Sequence, residues 1–118
     1  MKKLLIILVM LCVSFTYAQN NTNVKYEKEG DFTMAKYYYE DGTVQQKGAF
    51  NAQGQLHGTW TSFDVKGNKM SVGNYIDGQK EGKWFFWTKT SLREVDYLNS
   101  KIVSVNEWKD KSKLAIRD

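Results

Sequence analysis

The chain has 118 residues, a formal net charge of +4, one Cys, one His, nine Gly and no Pro. This length allows one domain. The single cysteine and single histidine exclude an internal disulfide and any metal site built from several thiolates or imidazoles. The positive charge at first favours nucleic acid or an anionic membrane as a partner.

The first eighteen residues predict a secretory signal peptide. The chain starts with Met-Lys-Lys, continues with an apolar run over residues 4–13 that is too short to span a bilayer, and offers an A-x-A-like cleavage site at Thr16 and Ala18. Cleavage there lowers the count of Lys and Arg from 17 to 15 against 13 acidic residues, so the net charge falls to +2. We therefore expect an exported protein, periplasmic or secreted, without a nucleic-acid partner. Lipidation at Cys12 is the alternative, which the bulky Leu11 before it disfavours.

The rest of the chain has the composition of short strands in hairpins. It holds 15 aromatic residues and all nine glycines but only 14 Val, Leu and Ile. Aromatic residues favour strands, and Gly supplies turns and bulges. We predict a signal peptide over 1–18, a polar disordered leader over 19–29, a β-hairpin repeat domain over 30–108 and a charged tail over 109–118. The domain contains no apolar run long enough to span a membrane.

Glycines and aromatic residues recur about every 24 residues. The segment Gly54–Trp60 aligns with Gly78–Trp84, with two Gly, a Gln and the Trp identical, and Gly48–Phe50 aligns with Gly73–Tyr75. A partial copy follows, in which residues 97–100 (Tyr-Leu-Asn-Ser) replace residues 75–78 (Tyr-Ile-Asp-Gly). Each unit predicts two strands, so the whole is an all-β antiparallel meander of seven or eight strands in one sheet.

Particular glycines are expected at the turns and bulges. Asp41-Gly42 predicts a type I′ turn, and Asp77-Gly78 predicts the turn between units. A glycine two residues before each repeat Trp predicts a positive φ or a bulge there. The glycines expected to support the repeat are Gly42, Gly48, Gly58, Gly67, Gly73, Gly78 and Gly82.

The pattern G-x-W, Y/F-x-x-x-G, G-x-Y/F and D-G, at 23 to 25 residues per unit, resembles the MORN repeat in its bacterial variant form, as in the YwqK-like group that is labelled as antitoxins. The resemblance covers residues 30–100. It implies an elongated hairpin sheet that binds proteins or lipid surfaces. The chain departs from the pattern at Ser91, where the turn glycine is replaced, and in the first unit, where Phe32 stands at the Trp position.

Few residues suggest catalysis. His57 is the only imidazole and lacks a nucleophile and an acid at recognisable spacing, so we interpret it as an exposed turn residue. Glu94 and Asp96 alternate on one strand face and could serve glycoside hydrolysis, although interleaved charges favour a solvated face. We predict no enzyme activity, no metal site and no cofactor. The chain ends in a basic tail behind Trp108, so binding to an anionic lipid surface stays an alternative.

The aromatic residues are the best candidates for binding. A thin sheet cannot bury both faces, so some rings should form a patch suited to a partner. We expect a protein partner in the cell envelope, with envelope carbohydrate, peptidoglycan or a lipid surface as the alternative. The predicted partner-binding residues are Tyr37, Tyr39, Trp60, Trp84, Phe86 and Trp87.

Overall fold

The computed structural model describes residues 23–109 and shows one eight-stranded antiparallel sheet in the order β1 to β8. The predicted all-β meander is thereby confirmed, and the sheet measures 60 × 32 × 30 Å. The predicted signal peptide and nearly all of the predicted tail lie outside the described residues. The part that is described contains no helix that could cross a membrane. The strands are β1 Val24–Glu29, β2 Phe32–Tyr38, β3 Val44–Phe50, β4 Leu56–Phe63, β5 Lys69–Ile76, β6 Gln79–Trp87, β7 Leu92–Leu98 and β8 Lys101–Trp108.

The predicted leader is too long, because Val24–Glu29 forms strand β1 and pairs with β2 along its whole length. Four of its six residues are charged, which made the segment look like solvated coil. An edge strand contacts the sheet on one side only, so it can carry charges that a central strand cannot. The first hairpin also differs from the later units. Gly30 lies in its turn, and Phe32 starts β2 as an exposed residue rather than occupying a buried Trp position.

Two turn designs recur in the sheet, and the longer one occurs at both of its ends. Asp77 and Gly78 both have positive φ, as do Asn99 and Ser100, so both pairs have the left-handed φ that type I′ turns require. This agrees with the alignment of the two segments. The predicted type I′ turn at Asp41-Gly42 is wrong, since only Gly42 has positive φ. There Gly42 N–H donates to Tyr39 O and Tyr39 N–H donates to Thr43 O, which makes a longer loop with glycine at its last turn position.

The repeat core consists of an indole ring lying on a glycine of the preceding strand. Trp60 of β4 covers Gly48 of β3, and Trp84 of β6 covers Gly73 of β5. A Cβ atom on either glycine would overlap the indole, so only glycine allows this approach. The register shifts beside both glycines, opposite the segments that contain Gly58 and Gly82, where a bulge was predicted. Gly58 and Gly82, two residues before each Trp, have φ of 79° and 71°, which confirms the predicted positive φ.

The buried core is small and lies in patches along the sheet. Its apolar members are Ala35, Trp60, Trp84, Leu92 and Val95. Because side chains alternate along a strand, aromatic rings occupy both faces of the sheet, as predicted. A single sheet has no second layer to cover it, and for that reason neighbouring rings shield one another.

Candidate functional site

The structure separates the six predicted partner-binding residues. Trp84 and Phe86 stack with ring centroids 6.0 Å apart on one face, which we call the indole face. The strand register places Tyr37 and Trp60 on the same face. Trp87 lies on the opposite face and stacks on Phe85. Tyr39 lies at the β2–β3 turn, where its hydroxyl donates to Phe63 O at 2.7 Å.

Trp60 and Trp84 are core residues with side chains only 7% and 5% exposed, so they do not form the exposed patch that we expected. Their indole N–H groups donate to main-chain carbonyls, from Trp60 to Ala49 O at 3.0 Å and from Trp84 to Asn74 O at 3.1 Å. Buried indoles normally satisfy this donor. The two rings therefore present only carbon surface to the indole face.

The surroundings of the two indoles differ. Trp84 contacts Tyr75 edge-on at 5.0 Å and Tyr97 at 5.9 Å, and the Lys80 ammonium lies 5.1 Å from its ring centre. Trp60 contacts two rings, Phe50 at 5.2 Å and Tyr37 at 6.4 Å. The alignment places Ser62 where the second unit has Phe86. No ring stacks beside Trp60 at that position, and a space remains there.

That space is a groove on the indole face with a cavity volume of about 280 Å³. All of its lining side chains are uncharged: Tyr37, Gln46, Phe50, Leu56, Trp60, Thr61, Ser62, Ser71, Tyr75 and Trp84. The residues come from five consecutive strands. Aromatic rings and neutral polar groups of two repeat units converge in this groove.

The polar groups of the groove lie in one row across the sheet. Ser62 and Ser71 are paired across β4 and β5, and their hydroxyls hydrogen bond to each other. Gln46 is paired with Ser62 across β3 and β4, and its side-chain amide has no hydrogen-bond partner among residues 23–109. Burial, and after it a hydrogen bond with Tyr26, raise the pKa of Tyr37 above its ordinary value.

Trp87 differs from the two repeat tryptophans in the hydrogen bonding of its indole nitrogen. Its indole nitrogen is buried and has no hydrogen-bond partner within the described part of the chain. It is paired with Leu92 across β6 and β7, on the face away from the groove. Trp87 therefore does not belong to the same surface as Trp84 and Phe86.

His57 has a structural position rather than an exposed turn position. It lies on β4, where its ring stacks on Phe32 at 5.6 Å. Its Nδ1 accepts a hydrogen bond from the Asp77 main-chain N–H at 3.2 Å. Glu81, aligned with His57, accepts from Asn99 N–H at 2.8 Å in the same way. Both side chains thus hold the type I′ turn of the next hairpin.

Glu94 and Asp96 share one face of β7, but Glu94 is engaged in an ion pair. Lys83 Nζ lies 2.9 Å from Glu94 Oε1, and Asn106 donates to the other oxygen at 3.4 Å. The hydrogen bond from Lys83 lowers the pKa of the Glu94 carboxyl, and the same bond raises the pKa of Lys83. The lowered pKa suits an ion-paired carboxylate and opposes its use as a general acid.

The Glu94–Lys83 pair predicts a pH-dependent contribution to stability. Because the pKa of Glu94 is lower in the folded than in the unfolded chain, the contribution is present above the ordinary glutamate pKa of about 4.3 and is lost as the pH falls through the folded value. We expect the Tm of the wild type to exceed that of Glu94→Gln by a constant margin from about pH 7 to about pH 5. This margin should shrink at lower pH. A margin in Tm that does not change on acidification would contradict the assignment.

The sequence interpretation did not single out β8 as a candidate binding edge. Ile102, Val103 and Val105 are 61%, 65% and 51% exposed. Charges occur only near its ends, at Lys101 and Glu107. The uncharged run Ile102–Asn106 was visible in the sequence, but its exposure depends on β8 being the last strand of the described sheet.

Among residues 23–109, no group of three or more His, Cys, Asp or Glu could hold a metal ion. Comparison with protein-family models, with curated proteins and with solved structures gives no match for this chain.

Proposed function

We propose that the protein is a non-catalytic, exported MORN-like repeat module that binds a protein partner through the open edge of β8. The resemblance to the MORN family is supported by the period of about 24 residues and by the matching hairpins. An antitoxin role, which only that resemblance implies, would be one form of such binding. Export rests on the predicted signal peptide.

The observation that carries the proposal is the contrast between the two edges of the sheet. At β1, four of six residues are charged, which protects an edge from pairing with other chains. At β8, two of eight are charged, and three aliphatic side chains are exposed beside a row of backbone groups that pair with no other strand of residues 23–109. An edge of this kind favours the addition of a further strand.

The expected occupant is an extended segment of the partner with an uncharged centre. Lys101 at one end of β8 complements a strand with an acid at that end, whereas Glu107 at the other end already pairs with Arg93 of β7 at 3.7 Å. Backbone hydrogen bonds would supply affinity, and Ile102 and Val105 would supply apolar contacts. The six predicted aromatic residues are poorer candidates, because two are buried and one lies on the other face.

Site-specific photo-crosslinking in the producing cells tests the proposal. A photoreactive residue at Ile102 on β8 should give a discrete adduct with one other protein, identified by mass spectrometry. The matched control is the same residue at Tyr26, an exposed position on β1. We expect Val105→Lys to remove the adduct at unchanged Tm, because it places a charge on an exposed apolar position.

Three results would overturn the edge proposal. They are the absence of an adduct from Ile102, equal adducts from Ile102 and Tyr26, and an adduct that contains only this chain. An adduct that persists unchanged in Val105→Lys would also count against it.

A further inference from the structure

We propose that the groove on the indole face is a binding site for one neutral pyranose sugar ring. This site is separate from the β8 edge and does not depend on the function proposed there. Its cavity of about 280 Å³ lies just below the ~300–1,000 Å³ of small-molecule sites, which suits a ligand no larger than a single ring.

The absence of charge from the lining selects a neutral ligand. None of the lining side chains carries a charge that could pair with an ionised group on the ligand. A charged ligand in a partly desolvated groove would lose solvation without gaining a counter-charge from the lining. The Lys80 ammonium near Trp84 is outside the lining and already lies 5.1 Å from the Trp84 ring and 5.0 Å from the Tyr97 ring. This argues against phosphate, carboxylate and ammonium groups at this site.

The mixture of rings and hydroxyls selects a ligand with both apolar and polar surface. The half-buried rings of Tyr37, Phe50 and Tyr75 offer carbon surface. The small exposed parts of Trp60 and Trp84 add only carbon, since their N–H groups are used in main-chain hydrogen bonds. A purely apolar side chain from a protein would cover the Gln46 amide without a partner, which costs free energy. A pyranose has C–H groups for the rings and neutral hydroxyls for the amide.

The serine pair adds a directed donor. One of the two hydroxyls donates to the other, so the accepting hydroxyl keeps its own proton for a further acceptor. Gln46 supplies an amide with two donors and an acceptor beside this pair. The row Gln46–Ser62–Ser71 can thus bind adjacent sugar hydroxyls while the rings pack against the sugar's C–H surface.

The repeat itself provides the test variant. Ser62 is aligned with Phe86, whose ring fills the equivalent place beside Trp84. We expect Ser62→Phe to fill the groove and to raise the Kd for the sugar at least about tenfold. Gln46→Leu removes the free amide but, unlike Ser62→Phe, does not fill the groove with a ring. We expect this variant to bind the sugar more weakly as well. Thr59→Phe, an exposed position on the other face of the same strand, is the matched control.

The measurement is a titration of tryptophan fluorescence, with calorimetry, on the purified protein. The neutral probes are glucose, galactose, mannose and N-acetylglucosamine, and the charged probes are glucuronate and glucosamine. We expect saturable binding of at least one neutral sugar, retained in Thr59→Phe and Val105→Lys and weakened in Ser62→Phe and Gln46→Leu at unchanged Tm. The proposal is overturned if no neutral sugar binds, if the charged probes bind equally, or if both groove variants bind as wild type does.

Discussion

Replacing Gly73 with Ala is expected to lower the free energy of unfolding by about 3 kcal/mol. The new Cβ would overlap the indole ring of Trp84. The indole cannot easily move away, because it is packed between the backbone and the rings of Tyr75 and Tyr97. Urea unfolding followed by tryptophan fluorescence measures the loss.

The control for this change is Gly67→Ala. Gly67 has φ of +86° and open space around it, so alanine there costs only the strain of the left-handed backbone, about 1 kcal/mol. A double variant that also carries Trp84→Leu should lose less than the sum of the two single changes, since the smaller side chain relieves the overlap. Additive losses, or equal losses at Gly67 and Gly73, would show that the indole does not lie on Gly73.

Trp84→Ala is expected to lower the free energy of unfolding by about 4 kcal/mol. The ring is buried, contacts Tyr75, Phe86 and Tyr97, and donates to a main-chain carbonyl. Its removal leaves a cavity and an unpaired acceptor in the centre of the sheet.

Trp87→Ala is the matched comparison, because it removes the same side chain from the same strand on the other face. Trp87 is less buried, and its indole nitrogen makes no hydrogen bond to the described residues. We expect less than half of the loss found for Trp84→Ala in the same unfolding experiment. If the two losses were equal, the assignment of Trp84 to the repeat core would fail.

The sequence predicted those parts of the fold that depend on local chemistry. The positive φ at Gly58 and Gly82 and the turn at Asp77-Gly78 follow from the freedom of glycine and the tolerance of Asp for left-handed backbone. The repeat period then placed Asn99-Ser100 at the next turn even though glycine is absent there. The predicted number of strands, seven or eight, followed from the number of turns in the repeat units.

Other features depend on which strands become neighbours, and the sequence pattern did not reveal them. Strand β1 resembled a polar leader because an edge strand needs few apolar residues. The groove requires Gln46, Ser62 and Ser71 to meet across three strands, and two-residue shifts at the bulges determine that register. The burial of Trp60 and Trp84 depends on those shifts too, because they bring each ring over a glycine.

The placement of each indole over a glycine can be measured most directly through the Hα resonances of the glycines. A proton beneath an indole face experiences a strong ring-current shift. We predict that the Hα signals of Gly48 and Gly73 lie well upfield of those of the other seven glycines. Trp84→Leu should return the Gly73 signals alone to the ordinary glycine range, while those of Gly48 stay upfield. Ordinary Hα shifts at both glycines in the wild-type protein would contradict the indole-on-glycine core and the groove that depends on it.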